Sequence, residues 1–151
     1  MSKTDDELFG RLIMEINQAG LSWEIVLNKY AEIEKAYADF SITKIAAFKD
    51  KDILALKSNP KVIRHELKIK SIVYNARQIL CIQKEFGTFG NWISKNQQNS
   101  IENWTGIFKK NFKFVGKEIV SEFLMSNGMI PGAHDNDCPV YQKLKKNEIN
   151  T

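Results

Sequence analysis

Leu8, Leu12 and Ile16 recur four residues apart, the spacing that brings side chains to one face of a helix. Thr4-Asp5-Asp6-Glu7 precedes them. A threonine followed three residues later by a glutamate is a capping box, in which hydroxyl and carboxylate each satisfy a free N–H at a helix start. A first helix is therefore predicted from this point to Ala19-Gly20. Ser22 is the N-cap expected for a second helix, carrying Trp23, Val26, Leu27 and Tyr30 and running to about Phe40. Two short helices, capped near Ser41 and Asp50, lead to Asn59-Pro60, where the proline disfavours helical backbone in the residue before it. From Glu66 to Phe86, Ile69, Ile72, Val73, Ala76, Ile79 and Leu80 mark the buried stripe of one long helix. Gly87 to Gly90 predicts a turn, Trp92 the centre of a short helix, and Lys95 to Asn99 a polar loop. Helices around Ile101–Lys110 and Lys117–Ser126 follow, with Gly128 as the C-cap of the last. No segment alternates as a strand would, so the pattern predicts an all-α, compact helical domain.

The composition fits one globular domain spanning residues 1–151, with 142–151 as a solvated polar tail. Of the 151 residues 43% are hydrophobic and 26% charged, enough apolar surface for a core. No run approaches the roughly 18 apolar residues of a membrane span, and the N-terminus lacks a signal-peptide core. A cytoplasmic protein without membrane contact is expected. Cys81 and Cys138 are the two cysteines, too few for a disulfide framework, and Cys81 reads as a buried free thiol on the long helix. The net charge of +4 inclines the chain toward a polyanionic partner.

Two segments carry candidate chemistry. Lys109-Lys110-Asn111-Phe112-Lys113-Phe114-Val115-Gly116-Lys117 joins two predicted helices and places four lysines around a glycine. Such a turn, continuing into a helix start, aims several backbone N–H groups outward and makes a cradle for a phosphate. The alternative is an ordinary helical hairpin whose Phe112 and Phe114 fasten it to the core. In the second segment, Glu15 lies on the apolar stripe of the first helix, and the break at Ala19-Gly20-Leu21-Ser22 delivers Trp23 close to it. A sheltered carboxylate beside an indole face suits a flat cationic ring. A lysine partner for Glu15 and a core position for Trp23 is the competing explanation.

Taken in order, these stretches resemble the bacterial type I 3-methyladenine DNA glycosylases, of the helix-hairpin-helix glycosylase superfamily. Glu15-Ile16-Asn17-Gln18-Ala19-Gly20-Leu21-Ser22-Trp23 is similar to the family's base-binding stretch, and Phe112-Lys113-Phe114-Val115-Gly116 to its DNA-binding hairpin. Ile63-Arg64-His65, Lys68-Ile69 and Asn75-Ala76-Arg77 extend the match from Asp6 to about Tyr141, and a structural role is expected for them. Asn111 stands where the family usually has glycine, and asparagine suits a left-handed turn position. The resemblance implies that a methylated adenine is flipped from double-stranded DNA and released by hydrolysis of its N-glycosidic bond. It implies Glu15 as the catalytic and base-binding carboxylate and Trp23 as the stacking ring. Gly20, Leu21, Lys113, Phe114, Val115, Gly116 and Lys117 are then the DNA-binding positions of a monomer.

His134 and Cys138 match half of the family's zinc site; the resemblance draws the other two ligands, and aromatic walls of the base pocket, from an N-terminal segment. Here Met1 stands almost directly before the first helix, so no intact zinc site and no other cofactor are expected. Zinc would require ligands supplied elsewhere. A second reading follows: a helix-hairpin-helix module that binds DNA but has lost part of the base pocket.

Overall fold

The computed structural model describes residues 3–97 and 99–128. His134, Cys138 and the polar stretch 142–151 lie outside them. All regular elements among the described residues are helical.

The N-terminal helix α1 (Asp5–Gln18) starts on the expected capping box, with Thr4 accepting from the Glu7 N–H and Glu7 accepting from the Thr4 N–H. Its first turn is also anchored from outside. The Asp5 carboxylate accepts hydrogen bonds from Gln83 Nε2 at 2.8 Å and from the backbone N–H groups of Phe89 and Gly90 at 2.8 and 3.1 Å.

The single helix expected from Ser22 to Phe40 is instead three pieces: α2 (Trp23–Asn28), α3 (Tyr30–Ala36) and a tight turn at Ala38–Phe40. Ala38, Asp39 and Phe40 have φ of 53°, 55° and 62°, a left-handed run that ordinary residues adopt only when tertiary packing holds them there. The packing is visible. Phe40 lies against Gly10 of α1, where a Cβ would come within 2.6 Å of its ring, and Tyr37 stacks on Phe48.

Short helices α4 (Ile42–Ala46) and α5 (Asp50–Ser58) follow. Helix α6 (Glu66–Phe86) has the predicted limits and packs against α1, α4, α5 and α7. Ile69, Ile72, Val73, Ala76, Ile79 and Ile82 are buried along it. Cys81, expected to be buried, is exposed because it falls off this stripe.

Helices α7 (Phe89–Lys95), α8 (Ile101–Asn111) and α9 (Lys117–Ser126) close the described part of the chain. Phe89, Trp92, Trp104, Phe108, Phe112 and Phe123 pack stacked, edge to face and tilted between them, with edge-to-face pairs among the arrangements that aromatic quadrupoles favour. Helix α9 also packs on α1. That contact brings the start of α9 beside the end of α1, and the candidate residues with it.

Candidate active site

The site begins where α1 stops. Gly20 takes φ of +79°, a conformation that glycine adopts without a Cβ penalty. Gln18 and Leu21 tie the turn, the Leu21 N–H and Gln18 Nε2 each spanning it at 2.7 Å. The ammonium of Lys68, itself buried on α6, donates to the carbonyl oxygens of Asn17 at 3.0 Å and Ala19 at 2.6 Å. A cation at a helix C-terminus meets both the unsatisfied carbonyls and the negative end of the dipole. Burial pushes the Lys68 amine below the ordinary lysine range. Ser22 then caps α2 by accepting from the Ile25 N–H, and Trp23 opens that helix, half-buried.

The hairpin between α8 and α9 is held by one buried side chain. Asn75 on α6 donates from its amide to the Lys113 carbonyl at 3.0 Å and accepts from the Lys113 N–H at 2.8 Å. The turn passes through the left-handed region at Phe114, φ 61°. Asn111 does not take the left-handed position suggested for it: it is the last residue of α8, and its side chain donates to the Ile107 carbonyl. Phe114 is anchored by its ring, 6.0 Å from that of His65 and 5.9 Å from the Lys68 ammonium. The N–H groups of Phe114, Val115 and Gly116 have no acceptor among the described residues, and α9 has no side-chain cap. Its first hydrogen bond of this region runs from Val120 N–H to Gly116 carbonyl.

Between the two elements lies an open cleft of about 1050 Å³ lined by Glu15, Gln18, Ala19, Gly20, Trp23, the run from Phe114 to Ile119, Ser121 and Glu122. Of the sequence candidates it gathers Glu15, Gly20, Trp23, Phe114, Val115, Gly116 and Lys117. Leu21 faces a second depression, shared with Arg64, His65 and Lys68. Lys113 is exposed and lies over the Tyr74 ring at 4.2 Å. Lys117 approaches Glu102 at 3.8 Å.

Glu15 is 1% exposed and paired with Arg11, not with a lysine. Arg11 Nη2 and Nε reach its Oε2 at 2.7 and 2.9 Å, and the guanidinium carbon lies 5.1 Å from the centroid of the Trp23 ring. Burial pushes the Glu15 carboxyl above the usual range; the charge and hydrogen bonds of Arg11 oppose this, and Glu122 adds to it. Arg11 escaped the sequence reading although its position four residues before Glu15 is the spacing of a helical ion pair. A cleft lined by a sheltered carboxylate, an indole and residues whose backbone N–H groups have no acceptor among the described residues offers a π face and an acceptor to a planar cation and donors to an anion.

The model of the methyladenine glycosylase family matches residues 1–107. The chain belongs to the methyladenine glycosylase family. A DNA-3-methyladenine glycosylase of Haemophilus influenzae is 32% identical over 152 residues, covering 88% of this chain and 82% of the relative. DNA-3-methyladenine glycosylase 1 of Escherichia coli is 30% identical, covering 85% and 79%. Among solved structures, a variant of 3-methyladenine DNA glycosylase I in complex with 3-methyladenine superposes with a TM-score of 0.80 at 28% identity, covering 89% of this chain and 82% of that one. The Staphylococcus aureus 3-methyladenine DNA glycosylase I, solved to explain 3-methyladenine recognition, gives 0.79 at 28% identity, covering 90% and 82%. The hairpin lies beyond the residues the family model matches.

No group of three or more His, Cys, Asp or Glu fit to hold a metal occurs among the described residues. His65 and Cys81 cannot share an ion. His65 caps the start of α6 by accepting from the Lys68 N–H, and Cys81 lies 16 residues along the helix, roughly 24 Å away at 1.5 Å per residue. Nor is any helix among the described residues long and apolar enough to cross a membrane.

Proposed function

We propose that the cleft between α1 and the α8–α9 hairpin is the base pocket in which this glycosylase hydrolyses the N-glycosidic bond of 3-methyladenine in alkylated DNA, a step of base-excision repair. The observation that carries the assignment is that one cleft is lined by Glu15, Trp23 and the hairpin residues Phe114 to Gly116, whose N–H groups have no acceptor among the described residues.

Base and backbone have separate seats. The N–H groups of Phe114 to Gly116 and the start of α9 receive a phosphate of double-stranded DNA, with Lys113 and Lys117 adding attraction. The flipped base enters beside Trp23, whose ring stacks on it, while Glu15 accepts hydrogen bonds from its N–H groups. Methylation at N3 makes the base a cation, so a carboxylate and an indole face select it over neutral adenine by charge as well as shape. Cleavage sends the electron pair of the glycosidic bond to the base and cancels that charge. A strong general acid is not needed. Water supplies the new bond at the sugar and loses a proton, leaving an abasic site. Glu15 holds the base as its charge is discharged. Gly20 and Leu21, at the end of α1, form the loop that faces the duplex. The active unit is a monomer working in the cytoplasm.

Trp23 makes the pocket visible. Trp92 and Trp104 are buried in the aromatic cluster, so a ligand in the cleft changes the emission of Trp23 above all. Free 3-methyladenine, which keeps the shape of the lesion but not its charge, should quench the fluorescence saturably, and adenine should quench it more weakly. Equal quenching by both bases, or none by either, would remove the cleft as the base pocket.

A further inference from the structure

Among the described residues, hydrogen bonds reach only one of the two Glu15 oxygens. Oε2 takes both hydrogen bonds from Arg11. Oε1 has no hydrogen-bond partner among the described residues, nor is it one of the fully buried polar atoms left without one. The cleft is lined by Glu15 and Trp23 but not by Arg11, which instead lines the neighbouring depression with Asp6, Glu7, Glu34 and Asp39. Arg11 therefore stands behind both groups, outside the space a base would occupy.

We propose that Arg11 is a positioning residue for base recognition: its guanidinium clamps Glu15 through Oε2 and lies over the Trp23 ring, leaving Oε1 ionised and free to meet the base. The proposal rests on the reading of the cleft as the base pocket. A carboxylate this sheltered sheds its charge unless a cation compensates it. An arginine at helical spacing supplies a permanent one, since guanidinium does not lose its proton in proteins. It also holds Oε2 in place, because two donors converge on that oxygen.

The charged surroundings leave this task to Arg11. Across the cleft α9 contributes Glu118, Glu122, which opposes a charge on Glu15, and Lys117, which is turned toward Glu102. From α6, Lys68 is committed to the carbonyls that end α1. The turn at Ala38–Phe40 offers Asp39 on the far side of Arg11, and α2 brings Glu24, which is exposed. Among the described residues Arg11 is the cation paired with Glu15.

The test compares the full chain with Arg11→Met and Arg11→Lys by two readouts. One is the titration of the Glu15 side-chain carboxyl followed by carbon NMR, assigned with Glu15→Gln. The other is the pH profile of 3-methyladenine release from methylated duplex. In Arg11→Met the Glu15 midpoint should move up, and release at neutral pH should fall on the order of ten- to a hundred-fold, the range for losing a charge-assisted hydrogen bond. The acid limb of the release profile should move with the carboxyl, and Arg11→Lys should restore part of both. An unmoved Glu15 midpoint in Arg11→Met would overturn the proposal, whatever happened to the rate. A midpoint that moved while the acid limb stayed fixed would overturn the role of Glu15 as the base's partner, and with it the base pocket as drawn.

Discussion

Asn75 is the position where a single buried side chain decides the shape of the turn between α8 and α9. Its amide is fully buried and makes two hydrogen bonds to the backbone of Lys113. Asn75→Leu keeps the volume and removes both. At about 0.5–1.5 kcal/mol net for each hydrogen bond, the loss is about 2 kcal/mol, held to that level because Lys113 is exposed enough for water to reach its backbone. For a chain of this size, 1 kcal/mol corresponds to roughly 2–4 °C in Tm, so a fall of about 4–8 °C is expected. Thermal unfolding followed by far-UV circular dichroism measures it. Duplex affinity should drop as well, because Phe114 to Gly116 present their N–H groups only while Lys113 is clamped. Quenching by free 3-methyladenine should remain, since Glu15 and Trp23 are held by other elements. A Tm within 2 °C of wild type together with unchanged duplex affinity would refute the clamp.

Two further changes separate base recognition from backbone binding. Trp23→Ala should lower discrimination of methylated from normal adenine more than it lowers affinity for duplex DNA, measured by competition between modified and unmodified duplexes; equal losses would make Trp23 only a packing residue. Lys113→Glu should weaken all duplexes alike and reduce the salt dependence of binding by about one phosphate contact, read from a titration across salt concentration, and binding that stayed unchanged would take the hairpin out of the interface.

Much of the helical framework could be read from the chain because local signals agreed there with tertiary packing. The Thr4–Glu7 capping box and the stripe from Ile69 to Leu80 placed α1 and α6, and Ser100 caps α8 where the pattern predicts a helix. The stretch from Ser22 to Phe40 was misread as one helix because its breaks are imposed from elsewhere. Nothing in Tyr37-Ala38-Asp39-Phe40 forbids a helix; the seat for Phe40 on Gly10, thirty residues earlier, pulls the chain into the left-handed turn. The hairpin shows the same limit. Asparagine at position 111 suggested the left-handed residue, yet Phe114 takes that conformation because its ring is held by His65 and Lys68. Glu15 and Trp23 were legible as a pair. Arg11 was available at helical spacing, but its lie over Trp23 depends on the path of the loop through Gly20 and could not be read from spacing.

Whether this cleft releases a methylated base is measured directly by liberation of free 3-methyladenine from methylated duplex DNA by the full chain beside Glu15→Gln. The wild type should release the base and the variant markedly less, with both binding duplex DNA. Duplex binding without release by the wild type, or equal release by the two, would contradict that role of the cleft.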